Sequence, residues 1–290
     1  MRKAAVFGSA GQLGLELVKE FRLRGYEVTP FNRADVDITD PKAVESCLTQ
    51  IDPAVVLNAA AYNQVDLAEA DPQTAYSSNA LAVRNLAVCC RQLDASLIHF
   101  STDYVFDGML GRPYVESDPT HPLGAYAVSK LAGELYAQAY VDPLVIRVSG
   151  VFGPGGQGTV RGNFVELMTR MAKAGQPIRV VEDHVASPTF APAIASRTAD
   201  LVERRLTGLY HMAGGVPISW FNWARLIFDS AGLKPEIKPT NEREYRTAAR
   251  RPKYSALSNS KLESAGIAPM PSLENALEEY WRLRNTKEIS

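Results

Sequence analysis

Three cysteines and four histidines in 290 residues leave little material for disulfide or metal chemistry. Cys47, Cys89 and Cys90 show no metal or redox spacing, and His99, His121, His184 and His211 are scattered along the chain. No metal site is therefore expected, and the adjacent Cys89 and Cys90 read as thiols buried in a helix. Such sparing use of cysteine fits a reducing cytoplasm. Charge of one sign is not in excess either. The formal net charge is −1, and no basic stretch is interleaved with aromatics, so neither nucleic acid nor an anionic membrane is an expected partner. Long apolar runs are also missing. The opening MRKAAVFGSAGQLG is too short and too glycine-broken for a signal peptide or a transmembrane helix.

What is present is alternation. Apolar runs of strand length occur at 3–8, 26–31, 54–60, 96–102 and 143–149. Segments with helical periodicity, at 12–24, 73–93 and 125–140, lie between them. Such alternation predicts an α/β fold, a Rossmann-type doubly wound parallel sheet whose buried strands are apolar on both faces. After residue 150 the pattern loosens. It predicts a helix at 163–174, a strand at 178–181, a helix at 190–205, a strand in TGLYHMAGG, a helix in SWFNWARLIFDSAG, a loop leading to a short helix in RRPKYSALSNSKLESAG, and a last helix at 272–284. The expected organisation is a dinucleotide-binding unit over 1–150. Residues 151–290 then form mainly a substrate-binding lobe, interleaved with the last strands of the sheet.

Gly8, Gly11 and Gly14 stand between the first strand and the first helix. Glycines there let the backbone approach a pyrophosphate, whose charge the helix N-terminus stabilises. The second strand ends in FNRADVDITD. Arg33, beside Asn32, can receive the 2′-phosphate of NADP; the alternative leaves Arg33 in solvent and gives the ribose to Asp35 or Asp37. Asp37 and Ile38 are placed near the adenine. NADPH is the expected cofactor, with NADH as the alternative.

The stretch HPLGAYAVSK puts Tyr126 and Lys130 four apart, on one helix face. A cation beside a phenol lowers its pKa, which suits proton transfer near neutral pH. The fourth strand ends in STDYVFDG, and ligands of open α/β sheets bind at the carboxyl ends of strands, so Thr102 faces the same crevice. The three side chains can then converge on one carbonyl. Thr102 orients it, Tyr126 protonates it, and Lys130 tunes Tyr126 and touches the nicotinamide ribose.

This set resembles the extended short-chain dehydrogenase/reductases, and among them most resembles the dTDP-4-dehydrorhamnose reductase family. The stretches that carry the resemblance are GSAGQLG (8–14), DVDITD (35–40), NAAAYNQVDLAE (58–69), STDYVFDG (101–108), YAVSK (126–130), NFV (163–165), SPT (187–189), GLYHMAGG (208–215) and RPKYSAL (251–257). The resemblance implies hydride transfer to the C4 carbonyl of a nucleotide-linked 4-keto-6-deoxy sugar, with Thr102, Tyr126 and Lys130 catalytic. It places Gln12, Leu13, Ala59, Ala60, Ala61 and Tyr62 along the cofactor. Asn79 matches a position that supports the active site, or else bonds to backbone inside a helix. Asp103 and Tyr104 match residues beside the sugar, and Asn163, Thr189 and Arg251 match positions around the nucleotide diphosphate. Homodimers are common in the extended family, and a homodimer is the matching expectation here.

The chain also departs from the family pattern. RVSGVFG (147–153) has Gly150 where the family has a tryptophan against the sugar, which predicts an opened pocket. EDHVASPT (182–189) brings His184 and Val185 into the lining, Ala127 replaces a glycine, and GPGGQG (153–158) predicts mobile backbone near the pocket mouth. A nucleotide-sugar epimerase of the same fold and a non-catalytic regulatory subunit are the competing functions.

Overall fold

The apolar runs become the strands of one sheet in the computed structural model, which describes residues 2–155 and 162–288. Residues 156–158 of the glycine-rich stretch lie outside the described residues. The chain runs β1 (Lys3–Phe7), α1 (Gln12–Leu23), β2 (Glu27–Phe31), α2 (Pro41–Ile51), β3 (Val55–Asn58), α3 (Val65–Ala70), α4 (Pro72–Tyr76), α5 (Ala82–Leu93), β4 (Ser96–Thr102), α6 (Ala125–Tyr140) and β5 (Leu144–Val148). It continues with α7 (Phe164–Lys173), β6 (Ile178–Val181), β7 (Val185–Ala186), α8 (Ala191–Glu203), β8 (Gly208–Met212), β9 (Ile218–Ser219), α9 (Trp220–Ser230), β10 (Ile237–Thr240), α10 (Ser260–Ser264) and α11 (Leu273–Glu288).

Six strands pair in parallel in the order β2-β1-β3-β4-β5-β8. The chain leaves β1 towards β2 on one side and returns to β3 on the other. The crevice of this switch point opens between the carboxyl ends of β1 and β3. Strand alternation sends Ala4, Val6, Leu57 and Ile98 into one hydrophobic layer, with Leu17 and Phe21 of α1 and Ile194 and Leu201 of α8. Ala5, Phe7, Val56 and Leu97 face the other layer, against Leu48 of α2, Leu86 of α5 and Ala137 of α6. Residues beyond 150 therefore complete the sheet layer through α8 and β8. A separate cluster, centred on Phe152, Trp223 and Tyr280, joins α7, α9 and α11 to the parallel β6–β10 pair.

The segment read as one helix over 73–93 is broken. After α4 comes a π-helical turn, Ser77–Leu81, and only then α5. The wide turn buries Asn79, which donates to Tyr62 O (3.0 Å), accepts from Tyr62 N (2.8 Å) and donates to Ser129 Oγ (3.0 Å). It thereby ties the β3 exit to α6. Two further contacts fix α6 in place. Glu69 of α3 accepts from Ala125 N at the helix start (2.8 Å), where an acid suits the helix dipole. Arg147 of β5 makes a bidentate pair with Glu134 (2.9 and 2.7 Å), both side chains being buried. The Tyr126–Lys130 face is thus held from both ends.

Candidate active site

The turn after β1 depends on missing side chains. Gly8 has φ +76°, and a Cβ there would lie 2.5 Å from Ala60 N. A Cβ on Gly14 would lie 2.1 Å from Gly8 O. The turn, the N-terminus of α1 and the β3 exit therefore approach one another as backbone, with Gly11 N donating to Gly8 O (2.9 Å). Beside them runs a groove of about 470 Å³, walled by Gly8 and Gly11, by Asn32, Arg33, Asp37 and Ile38, and by Ala59, Ala60, Ala61 and Tyr62. Asp35 accepts from Asn32 N (2.8 Å). Asp37 accepts from Thr39 N (2.9 Å) and Oγ1 (2.8 Å), bonds that hold its carboxyl below the ordinary range. Among the described residues no hydrogen bond or ion pair engages the exposed Arg33 guanidinium. An elongated groove, side-chain-free backbone at a helix N-terminus and an exposed arginine at the rim fit a phosphate-bearing dinucleotide.

The groove continues into a deeper cavity of about 340 Å³ that shares Gly11, Ala59, Ala60, Ala61 and Asn63 with it. Leu13, Thr102, Asp103, Tyr126, Lys130 and Gly150 line this deeper part. Thr102 ends β4; its Oγ1 accepts from Tyr104 N (3.2 Å) and donates to Asp103 Oδ1 (3.2 Å). The Tyr126 hydroxyl donates to Asn63 Oδ1 over a long 3.4 Å, and its ring meets Tyr104 edge-on at 6.1 Å. Lys130 Nζ donates to Phe100 O (2.6 Å).

The expectation that Lys130 depresses the Tyr126 pKa is corrected here. Burial pushes the phenol well above its ordinary range, and the nearby Thr102 hydroxyl only partly opposes this. Burial also brings the Lys130 ammonium down to about 8, against the pull of Glu134. Tyr126 is thus held as a protonated phenol, the form a proton donor needs.

A third cavity, of about 570 Å³, adjoins Tyr104 and belongs to the later part of the chain. Its wall combines apolar and aromatic surface (Phe164, Met168, Trp220) with Arg179, His184 and Arg251. Trp220 packs edge-on to Phe164 at 4.8 Å. It also answers for Gly150. A Cβ on Gly150, which has φ +49°, would lie 3.3 Å from the Trp220 ring, so an indole from the start of α9 fills the space expected to be open.

Several residues placed around the ligands also serve the framework. Asn79 sits behind the cofactor wall and acts on it through the Tyr62 backbone. Asn163 caps α7, accepting from Glu166 N (3.0 Å), and donates to Gln12 Oε1 (2.7 Å). The Gln12 amide also donates to Val151 O (2.7 Å), so it braces α1 against the β5 exit while its chain lines the deeper cavity. Thr189 is fully buried, donating to Ser187 O (2.8 Å) and accepting from Gly214 N (3.2 Å). Gly14 packs against the turn rather than lining the groove. Arg251 grips Asp66 with two bonds (3.0 and 2.7 Å). Sequence reasoning passed over Asn63, Asp66, Trp220 and Ser255. Asn63 and Asp66 carried a signal inside the NAAAYNQVDLAE stretch and Ser255 inside RPKYSAL, whereas Trp220 carried none.

A parallel sheet with a glycine turn at its switch point defines a Rossmann-type dinucleotide-binding fold. Residues 2–285 match the RmlD substrate-binding domain model. The chain belongs to that family. It is 36% identical over 287 residues to the spore coat polysaccharide biosynthesis protein SpsK of Bacillus subtilis, covering 99% of each chain. It is likewise 36% identical over 282 residues to a dTDP-4-dehydrorhamnose reductase of Mycobacterium tuberculosis, covering 95% of this chain and 91% of the other. Among solved structures, the dTDP-4-dehydrorhamnose reductase of Bacillus anthracis in complex with NADP superposes with a TM-score of 0.92 at 34% identity, covering 97% of this chain and 99% of that one. Among the described residues no helix is long and apolar enough to cross a membrane.

Proposed function

We propose that this chain reduces the C4 carbonyl of a nucleotide-linked 4-keto-6-deoxy sugar with NADPH, NADH being the alternative donor. One observation carries the reading. Thr102, Tyr126 and Lys130 line a single cavity that opens on one side into the glycine-turn groove, while Tyr104, packed against Tyr126, forms the wall of the arginine-bearing cavity on the other. Bound NADPH supplies the hydride. Gly8, Gly11 and the α1 N-terminus would hold its pyrophosphate, and Ala59 to Tyr62 its flank. Tyr126, kept protonated by burial, gives its proton to the carbonyl oxygen. Lys130, on the same helix face, stabilises the phenolate left behind. The aromatic and apolar surface of Trp220, Phe164 and Met168 suits a nucleoside, and Arg251 suits a diphosphate.

The preference for NADPH rests on Arg33. Each neighbouring acid already engages one carboxylate oxygen with local donors, which leaves Arg33 as the exposed cation at the rim for a 2′-phosphate. Arg33→Ala should raise the KM for NADPH about tenfold and leave that for NADH within about twofold, as read from initial rates. Arg251→Ala should raise the KM for the sugar nucleotide more than about tenfold, with kcat less affected. Arg251→Lys should not restore it, because a point charge cannot keep the two-point grip on Asp66.

The deciding experiment follows NADPH oxidation by its absorbance, with dTDP-4-keto-6-deoxy-L-lyxo-hexose generated in situ. Rapid oxidation supports the reading. No oxidation, with cofactor binding verified, means that the pocket serves another keto sugar. Failure across a panel of keto sugars, with nicotinamide cofactor co-purifying at full occupancy, overturns it in favour of an epimerase.

A further inference from the structure

Asp103 is 3% exposed, yet its carboxylate takes three hydroxyl donors from three separate segments. Thr102 comes from the end of β4 (3.2 Å), Ser149 from the exit of β5 (2.8 Å), and Ser255 from the loop before α10 (2.5 Å). Ser255 also lines the large cavity, whereas Asp103 and Thr102 line the deeper one. The carboxyl is thus the joint between the two cavities. The ionisable groups around it are Tyr104 beside it and Tyr126 of α6, both neutral phenols raised by burial, Tyr104 to about 12. Lys130 of α6 turns to Phe100 O, and Arg251 of the C-terminal loop pairs with Asp66. Among the described residues no cation forms an ion pair with Asp103.

Thr102 has one hydroxyl hydrogen. While Asp103 is a carboxylate, that hydrogen is directed at Asp103. Once Asp103 is protonated, its O–H can donate to Thr102 Oγ1 and release the threonine hydrogen. Resting on the reductase reading, we propose that Asp103 is a positioning residue that sets which way the Thr102 hydroxyl points, and that Ser255 sets how readily Asp103 does so. In its acid form Asp103 frees Thr102 to hydrogen-bond the ligand carbonyl oxygen beside Tyr126; in its ionised form it withholds that donor. No bond other than O–H is made or broken, and the proton exchanges with water. Burial lifts this carboxyl to about 6, against the three hydroxyls that favour its charged form.

The test uses the full chain and two readouts. The carboxylic acid C=O band of Asp103, isolated as the infrared difference between wild type and Asp103→Asn, should titrate near pH 6 without substrate. With keto sugar and NADPH, kcat should fall roughly tenfold as pH rises through the same midpoint, because one of two donors to the developing oxyanion is withdrawn. Ser255→Ala removes a donor to the carboxylate, so both midpoints should move to higher pH, and Ser255→Thr should restore them. Asp103→Asn cannot ionise, so whatever its absolute rate, the kcat step near pH 6 should vanish. Equal melting temperatures would show that the variants fold. A kcat step that survives in Asp103→Asn, or midpoints unmoved in Ser255→Ala, overturns the proposal. If no keto sugar is reduced while the infrared band still titrates and still moves in Ser255→Ala, the reductase reading falls and the Asp103–Ser255 coupling stands.

Discussion

Tyr126→Phe should lower kcat by roughly 10²–10⁴-fold while NADPH binding, read by fluorescence titration, changes by less than about twofold. The substitution removes one hydroxyl and leaves the ring packed edge-on to Tyr104. It breaks only a long bond to Asn63 and does not touch Lys130, whose ammonium rests on Phe100 O. What is lost is therefore the proton rather than the frame. Wild-type pH dependence should agree. The phenol is raised by burial and stays neutral across the assay range, so Tyr126 itself adds no limb near neutrality. Lys130 sits at about 8; above that pH its charge is lost, the phenolate loses its support, and kcat should fall once more. That upper limb should persist in Asp103→Asn, which separates it from the step near pH 6. Unimpaired turnover by Tyr126→Phe would place the proton donor elsewhere.

Gly14→Ala should be nearly as damaging, by a different route. The new methyl would lie 2.1 Å from Gly8 O and 2.8 Å from Ser9 Cα, all of it backbone with no rotamer to yield. Helix α1 must then back away from the turn. Overpacking of this kind costs about 1–3 kcal/mol or more, several degrees in melting temperature for a chain of this size. The same displacement pulls the α1 N-terminus away from Gly8 and Gly11, so NADPH affinity should drop at least about tenfold in a direct titration. Gly25→Ala is the control. Nothing lies within 4 Å of the added Cβ there, and only the positive φ of +80° is strained, at about 1–2 kcal/mol. It should lower stability modestly and leave NADPH affinity unchanged. Equal losses of affinity in both variants would refute the close-approach argument.

The elements around these residues differ in how plainly the chain announces them. Strands of a parallel sheet are covered on both faces, so they appear as short continuous apolar runs, and β1, β3, β4 and β5 all lie inside the runs expected for them. The Tyr126–Lys130 pair and the glycine turn are local patterns, one set by the helix period and the other by where side chains cannot fit. The break at Ser77–Leu81 leaves no mark in hydrophobic periodicity, because a π turn adds one residue within an otherwise helical stretch. The small strand Ile237–Thr240 exists only as a partner of Ile178–Val181 and reads as loop without it.

Local spacing thus determined the sheet, the cofactor turn, the shared face of Tyr126 and Lys130 and the position of Thr102 at a strand end. Each depends on neighbours within a few residues. The lining of the site was decided in three dimensions. Asp66 meets Arg251 across 185 positions, Ser255 meets Asp103 across 152, and Gln12 meets Asn163 across 151. No period or propensity links residues so far apart; only the packing of the later segments against the sheet edge brings them together. The same packing put an indole beside Gly150, and burial raised the Tyr126 phenol that its lysine neighbour alone would have lowered. Desolvation depends on everything that surrounds a group, and that is settled only when the whole chain has folded.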